Sequence, residues 1–249
     1  SYLPVMKFSI EQSDGVTAVS RFLKEKTITN YGINKDIRVI PNFIDPEKYR
    51  RIDASSICNK LVDRGEKVLI HVSNFRPVKR VQDVIKIFHL VRQKIPAKLF
   101  LVGDGPDRSN CEKLARELDL TSHIRFLGKQ GELIPLLSAS DLFLMPSQSE
   151  SFGLSALEAM ACEIPVISTS VGGLPELIVH GETGYIAEIG DIDRMAKYAI
   201  DLLTNEARYK MFAAASRKRA VEVFSADKVI DQYEKYYEQV LSERSVTAN

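Results

Sequence analysis

KVLIHVSNFRPVKRVQDVIKIFHLVRQKIPAKLFLVGDG, residues 67–105, is the stretch that decides the fold. Residues 67–73 are an apolar run rich in β-branched side chains, which is typical of a strand buried on both faces. Residues 79–94 carry apolar side chains at helical spacing, and residues 98–102 are a second apolar run that ends in a glycine-rich turn. A strand, a helix and a strand in this order predict two parallel strands joined by a crossover helix.

The same alternation continues toward the C-terminus. From Ile192 onward the sequence predicts almost continuous helix, and before it we predict strands at 124–127, 141–145, 165–168 and 184–187 and helices at 106–118, 133–138, 153–162 and 173–179. Strands that alternate with helices in this way favour a parallel sheet covered by helices on both faces. The predicted fold class is therefore α/β, with a Rossmann-like sheet.

Residues 1–45 read as a separate unit. Two short strands at 15–20 and 38–40 flank a predicted helix at Arg21–Tyr31, and residues 41–46 contain two prolines that oppose both a helix and a ladder. About 40 residues rarely bury enough surface to fold alone. Because the chain also lacks an initiator Met, we expect residues 1–45 to be the end of a second Rossmann-like domain.

Composition excludes several classes of protein. The chain has 249 residues with 34 Lys and Arg against 33 Asp and Glu, so its formal net charge of +1 argues against nucleic acid as a partner. We expect no integral membrane segment, because no apolar run approaches about 20 residues. Three widely spaced cysteines (Cys58, Cys111 and Cys162) fit a reducing cytoplasm, and homo-oligomerisation stays open.

The strongest chemical signal is PSQSESFGLSALEAMA, residues 146–161. A helix that starts near Gly153 directly after a strand points free amides at a phosphate group, and the Ser155 hydroxyl adds a donor. Glu158 follows about 7–8 Å further along the helix axis, a distance that suits the vicinal hydroxyls of a ribose. Glu150 precedes the helix, where the group beyond the phosphates would lie. Taken singly, Glu158 could face solvent and residues 149–151 could be an ordinary polar loop.

A second cluster, SNFRPVKR at residues 73–80, follows a strand and opens a helix. Its cations would stabilise negative charge on a group bound at this end of the strand. The alternative is a basic surface turn, of which Arg80 is expected to be the most solvent-facing member.

With these motifs the chain resembles the retaining nucleotide-sugar glycosyltransferases of family 4, the group 1 transferases of the GT-B fold. Glu150 and Glu158 stand in the E-x7-E spacing of that family. The resemblance covers residues 46–225 and includes GDGP at 103–106, FLG at 126–128, PVIS at 165–168, GGLPE at 172–176 and GETG at 181–184. It implies a nucleotide-sugar-binding domain at 46–224, and a C-terminal helix at 225–249 that crosses back to the N-terminal, acceptor-binding domain.

The resemblance also implies roles for individual residues. Glu150 would contact hydroxyls of the donor sugar and Glu158 the ribose. Lys79 would be one of the two cations that hold the diphosphate. The family's second cation is an arginine at the position of Asn74, and whether Arg76 replaces it stays open. Further residues implied to bind the nucleotide sugar are Asn74 in the cation-rich stretch, Gly128 and Lys129 near the base, and Ser151, Phe152, Gly153, Leu154 and Ser155 around the pyrophosphate.

The implied reaction moves a sugar from a nucleoside diphosphate with retention of configuration, with Lys79, Arg76 and Glu150 as the catalytic residues. The leaving phosphate would serve as the acceptor's base, and no metal or cofactor would be needed. Residues 1–20, 73–85 and 146–169 resemble the members of the family that act in bacillithiol biosynthesis. This finer resemblance implies UDP-N-acetylglucosamine as donor and L-malate as acceptor, with the acceptor-binding residues mostly in the N-terminal domain.

Other functions stay open at this point. They are a family 4 transferase for a lipid or polysaccharide acceptor, a nucleotide-sugar epimerase on the same fold, and a noncatalytic nucleotide-binding module. A dinucleotide-dependent oxidoreductase is disfavoured, because no G-x-G-x-x-G follows a first strand. No two histidines have metal-ligand spacing, and His71 is predicted to be a core residue with its hydrogen bonds satisfied.

Overall fold

The computed structural model describes residues 2–247, with side chains described as far as Arg244. Its centre is a six-stranded parallel sheet in the order β5-β4-β3-β6-β7-β8. The strands are β3 Lys67–Val72, β4 Ala97–Val102, β5 Ile124–Gly128, β6 Leu142–Met145, β7 Val166–Thr169 and β8 Gly184–Ala187. Strand β3, which comes first along the chain among these six, lies in the middle of the sheet, so the strand order reverses between β3 and β6. In open parallel sheets such a reversal opens a crevice at the carboxyl ends of the strands.

Helices cover both faces of this sheet, so the predicted α/β class is confirmed. One core contains buried residues of α4, α5 and α9, and the other contains buried residues of α6, α7 and α10. The helices are α1 Leu3–Gln12, α2 Arg21–Tyr31, α3 Ser55–Leu61, α4 Val81–Arg92, α5 Arg108–Glu117, α6 Ile134–Ser138, α7 Leu154–Ala161, α8 Leu174–Leu177, α9 Ile192–Thr204, α10 Glu206–Phe224 and α11 Ala226–Thr247.

The central strands are apolar because both of their faces are covered. All six residues of β4 are buried, including Lys98, whose ammonium group lies 2.6 Å from Asp63 and 3.2 Å from Glu66. A buried ammonium ion without such partners would carry a large desolvation cost. The strand therefore tolerates a lysine only because two carboxylates reach its end.

The predicted elements differ from the structure in a few places. The helix predicted at 79–94 begins at Val81, because Arg80 adopts a left-handed backbone conformation with φ 51° after a short 3-10 turn at Pro77–Lys79. Helices α1 and α3 were not predicted. Neither contains a fully buried residue, so neither needs a strong apolar stripe at helical spacing.

The N-terminal segment forms a small unit of its own. Strands β1 Thr17–Ala18 and β2 Arg38–Val39 pair in parallel around α2. Residues 41–46 form neither helix nor strand, as expected, but one isolated bridge lies within them: the Ile44 amide donates to the Phe224 carbonyl, and the Ile44 carbonyl accepts from the Ala226 amide. The bridge forms because Ile44 lies between the two prolines and keeps its own N–H.

The C-terminal helix α11 lies against this N-terminal segment. The Tyr236 hydroxyl accepts a hydrogen bond from the Val16 amide at 3.0 Å, and Arg244 pairs with Asp14 at 3.2 Å. The domain ranges 1–45, 46–224 and 225–249 stay predictions, and Ser1 and residues 248–249 lie outside the described residues. Among residues 2–247, no helix combines the length and the apolar character that crossing a lipid bilayer requires.

Candidate active site

Two loops face each other at the point where the strand order reverses. The cation loop, residues 73–80, follows β3, and the glutamate loop, residues 146–152, follows β6. The Gln148 amide donates to the Val78 carbonyl at 2.8 Å and joins the two backbones. Because β3 and β6 are neighbours in the sheet, residues more than 70 positions apart in sequence meet here.

An ion pair connects the two loops. Lys79 Nζ lies 2.7 Å from Glu150 Oε1, which also accepts a hydrogen bond from the Ser147 hydroxyl at 2.8 Å. The Glu150 side chain is only 9% exposed and that of Lys79 22% exposed, so the pair is shielded from bulk water. A charge-assisted bond of this kind is stronger than one between neutral groups. The structure thus brings together two predicted catalytic residues, and it adds Ser147, which sequence analysis missed.

The other members of the cation loop have different surroundings. Asn74 and Arg76 are exposed, and among residues 2–244 no carboxylate lies within ion-pair distance of Arg76. Arg80 is half-buried and pairs with the buried Asp83 at the start of α4. The expectation that Arg80 is the most solvent-facing member is therefore wrong, since its side chain folds back onto Asp83 while Arg76 stays free to turn toward a ligand.

Helix α7 starts at the edge of the crevice. Gly153 precedes it with φ 102°, and a Cβ atom at this position would lie 2.6 Å from Leu174 Cδ2, so the turn requires glycine. Within the described part of the chain, the amides of Gly153, Leu154 and Ser155 have no hydrogen-bond partner, and the first amide bonds of the helix come from Ala156 and Leu157. Free amides at a helix start are the groups that bind a phosphate.

The Ser155 hydroxyl has a contact within the protein. Its oxygen lies 3.5 Å from the Val72 carbonyl at the end of β3, so it faces the crevice floor. The predicted bond from this hydroxyl to a phosphate would replace this long contact.

Glu158 lies one turn further along α7 and is half-buried. Burial raises the pKa of its carboxyl group, which accepts a hydrogen bond from the Tyr49 hydroxyl at 2.9 Å. Burial and the nearby Glu158 raise the pKa of Tyr49 to about 12, so Tyr49 stays a donor at neutral pH. Sequence analysis missed Tyr49, because it lies 109 residues away and no local pattern links the two.

The backbone of the glutamate loop is held from the opposite side by the turn before α8. The Gly173 amide donates to the Glu150 carbonyl at 3.1 Å. A Cβ atom on Gly172, whose φ is 61°, would lie 1.7 Å from the same carbonyl oxygen. The close approach of the two backbones therefore requires glycine at position 172 and fixes where the Glu150 side chain starts.

The remaining predicted residues lie around this centre. Gly128 ends β5, two strands away from β3, and Lys129 beside it is exposed. The Ser151 carbonyl accepts a hydrogen bond from Ser20 of the N-terminal segment at 2.6 Å. The Phe152 side chain is 3% exposed and packs edge-on against Phe224, so it belongs to the core and only its backbone is available to a ligand.

The N-terminal segment docks onto this region through its own helix. The Arg21 and Phe22 amides at the start of α2 each donate to the Glu176 carboxylate at 3.0 Å. A carboxylate at a helix N-terminus satisfies free amides and interacts favourably with the helix dipole. Glu176 therefore joins α2 to the turn that holds the glutamate loop.

Two expectations concern histidine and metal. His71 is fully buried and both of its ring nitrogens are hydrogen-bonded, so its prediction as a satisfied core residue is confirmed. Within residues 2–244, the structure contains no group of three or more His, Cys, Asp or Glu side chains arranged to hold a metal ion. The expectation that the reaction needs neither metal nor cofactor stays a prediction.

Comparison with known proteins identifies the family. Residues 53–219 match the model of "Glycosyl transferases group 1", and residues 1–48 match "Glycosyltransferase Family 4". The chain is 45% identical over 238 residues to the N-acetyl-alpha-D-glucosaminyl L-malate synthase of Bacillus anthracis, covering 95% of this chain and 62% of that protein.

Solved structures agree on the fold. Sucrose-phosphate synthase from Thermosynechococcus elongatus superposes with a TM-score of 0.87 at 26% identity, covering 97% of this chain and 62% of that one. HepE of Anabaena, in a complex with UDP and glucose, superposes with a TM-score of 0.89 at 24% identity, covering 95% and 66%. The chain thus spans less than two thirds of these relatives and corresponds to part of their GT-B fold. By its family match and its sheet, the chain belongs to the group 1 glycosyltransferases.

Proposed function

We propose that this chain carries the donor-binding site of a retaining glycosyltransferase that moves N-acetylglucosamine from UDP-N-acetylglucosamine to L-malate. The observation that carries the proposal is the Lys79–Glu150 pair at the point where the strand order reverses. The substrates come from the similarity to the L-malate synthase, at 45% identity over most of this chain.

The geometry supports a division of labour between the two loops. On donor binding, Lys79 would turn from Glu150 to the diphosphate and Glu150 would turn to the hydroxyls of the sugar, since the two side chains pair with each other in the structure. Arg76 is exposed and could add the second positive charge that Asn74 lacks. The charge on the leaving diphosphate increases in the transition state, so cations placed there stabilise it more than the ground state.

The rest of the donor would lie along α7 and toward β5. The free amides of Gly153, Leu154 and Ser155 are suited to the pyrophosphate, and the Glu158 carboxylate to the ribose. The base would lie near Gly128 and Lys129. The phosphate that leaves would accept the proton of the acceptor hydroxyl on the same face of the sugar, which preserves the configuration.

Product analysis tests the proposal. The full-length protein, incubated with UDP-N-acetylglucosamine and L-malate, should release UDP and form a glycoside with the anomeric configuration of the donor. Transfer to a lipid or polysaccharide but not to malate would assign another family 4 activity. A protein that does not bind UDP at millimolar concentration in calorimetry would refute nucleotide-sugar binding. Cytoplasmic location and homo-oligomerisation stay predictions.

A further inference from the structure

His71 is a buried titratable group that the proposed reaction does not use. It lies on β3 where the ladder between β3 and β6 ends, since the last paired residues are Ile70 and Phe143. His71 Nδ1 lies 2.8 Å from the carbonyl oxygen of Leu144 on β6. The imidazole thus continues the connection between the two strands past the last backbone pair.

The other ring nitrogen reaches the cation loop. His71 Nε2 lies 2.8 Å from the Ser73 hydroxyl oxygen, which also accepts a hydrogen bond from the Phe75 amide at 3.3 Å. A carbonyl oxygen can only accept, so Nδ1 carries the proton and Nε2 accepts from the Ser73 hydroxyl. Each group in the chain from the Phe75 amide to the Leu144 carbonyl therefore has a defined donor or acceptor role.

The segment held in this way is strained. Phe75 is fully buried and has φ 41°, a left-handed conformation that costs a non-glycine residue about 1–2 kcal/mol. Such a conformation persists only when its surroundings hold it, and the Ser73 hydroxyl is one of the groups that do so. Four residues after Phe75 comes Lys79, whose ammonium group meets Glu150.

We propose that His71 and Ser73 are positioning residues that set Lys79 and Glu150 at the separation that the donor diphosphate and sugar require. One imidazole holds both the strand that leads to the glutamate loop and the first residue of the cation loop. The inference rests on the proposed function, because it gives the Lys79–Glu150 separation a catalytic purpose.

Burial supports a neutral ring in this role. It lowers the pKa of His71 to about 4, and the positive charge of Lys79 acts in the same direction. At neutral pH the ring therefore keeps Nε2 free to accept from Ser73. A histidine that serves only core packing would show the same burial, so the test must separate positioning from stability.

The experiment uses Ser73→Ala and His71→Asn in the full-length protein. The asparagine amide can still donate to the Leu144 carbonyl but cannot reach Ser73, so both variants break the same link. The matched control is Ser140→Ala, which removes a buried serine bonded to the Leu136 carbonyl at the opposite end of the sheet. Measured for each are kcat and KM with UDP-N-acetylglucosamine, the Kd for UDP, and the melting temperature.

We expect both variants to lower kcat by about 10-fold or more, since a misplacement of about 1 Å can cost up to about 100-fold. KM for the UDP-sugar should change by less than about threefold, while UDP, with its extra phosphate charge, should bind several-fold more weakly. The double variant should have about the same kcat as the less active of the two single variants, because the two residues share one link. Ser73→Thr, which keeps the hydroxyl, should restore kcat.

The outcomes separate this inference from the proposed function. If the wild type is active but both variants keep kcat and UDP affinity within twofold of Ser140→Ala, His71 and Ser73 serve the core alone and the inference is overturned. If the wild type binds UDP but uses another acceptor, the Kd for UDP still compares the two variants with Ser140→Ala. Weaker UDP binding by both variants then supports the positioning role, and unchanged binding overturns it. If the wild type neither binds UDP nor turns over, the proposed function fails and this inference fails with it.

Discussion

Acidification should destabilise this protein through His71, and replacing that residue should remove the effect. The folded state depresses the pKa of His71 from 6.5 to about 4, because burial disfavours the charged ring. Between these two values the unfolded chain binds more protons than the folded one. The contribution to stability is therefore complete above about pH 6.5 and is lost as the pH falls toward 4.

The size of the effect follows from the shift. A difference of about 2.5 pKa units at about 1.36 kcal/mol each corresponds to about 3 kcal/mol over the whole window. Between pH 7 and pH 5 the expected loss is about 2 kcal/mol, since most of the window lies in that range. This is a large part of the roughly 5–15 kcal/mol by which domains are stable.

Urea unfolding of wild type and His71→Asn at several pH values between 7 and 4.5 measures the effect. Asparagine does not titrate, so the difference between the two free energies of unfolding cancels the contributions of all other groups. From pH 7 to pH 5 the wild type should lose about 2 kcal/mol more of its free energy of unfolding than His71→Asn loses. Parallel curves, within about 0.5 kcal/mol at every pH, would refute a buried neutral imidazole at this position.

Three further predictions concern the site. Lys79→Ala should lower kcat by about 100- to 1,000-fold, because it removes the positive charge that stabilises the leaving diphosphate, and it should also lower the melting temperature, because the buried Glu150 carboxylate loses its cation. Gly172→Ala should cost about 2 kcal/mol or more in urea unfolding, because its φ is 61° and the new Cβ would lie 1.7 Å from the Glu150 carbonyl. Tyr49→Phe leaves the half-buried Glu158 without its donor, so we expect a loss of about 1 kcal/mol in stability and weaker UDP binding in calorimetry.

Each of these variants has a matched control in the chain. Lys86→Ala removes an exposed lysine that pairs with a carboxylate on α4, outside the crevice, and kcat should not change. Gly131→Ala meets no atom within 4 Å of its new Cβ, so stability should stay within about 0.5 kcal/mol. Tyr185→Phe removes a hydroxyl that bonds Asp201 away from the site, and UDP affinity should not change. A control that behaves like its partner variant would contradict the assigned role.

The position of the site could be predicted from the sequence, but many of its side-chain contacts could not. The apolar runs identify β3 and β6, and a loop after each strand follows from that. Arg80 was misjudged because its half-burial depends on the buried Asp83 and on a backbone conformation that the residue type does not disclose. Phe152 was expected around the pyrophosphate, and no local pattern discloses that its side chain packs on Phe224 of a helix 72 positions later.

The amino-acid sequence by itself determined the α/β class, the order of strands and helices along the chain, and the residue types that suit a diphosphate and a sugar. Those features depend on local periodicity and on chemistry that each side chain carries with it. Only the tertiary structure decided that β3 lies between β4 and β6, that Lys79 meets Glu150, and that Tyr49 bonds Glu158. Such contacts join residues far apart in sequence, and they form because the whole sheet must bury both of its faces at once.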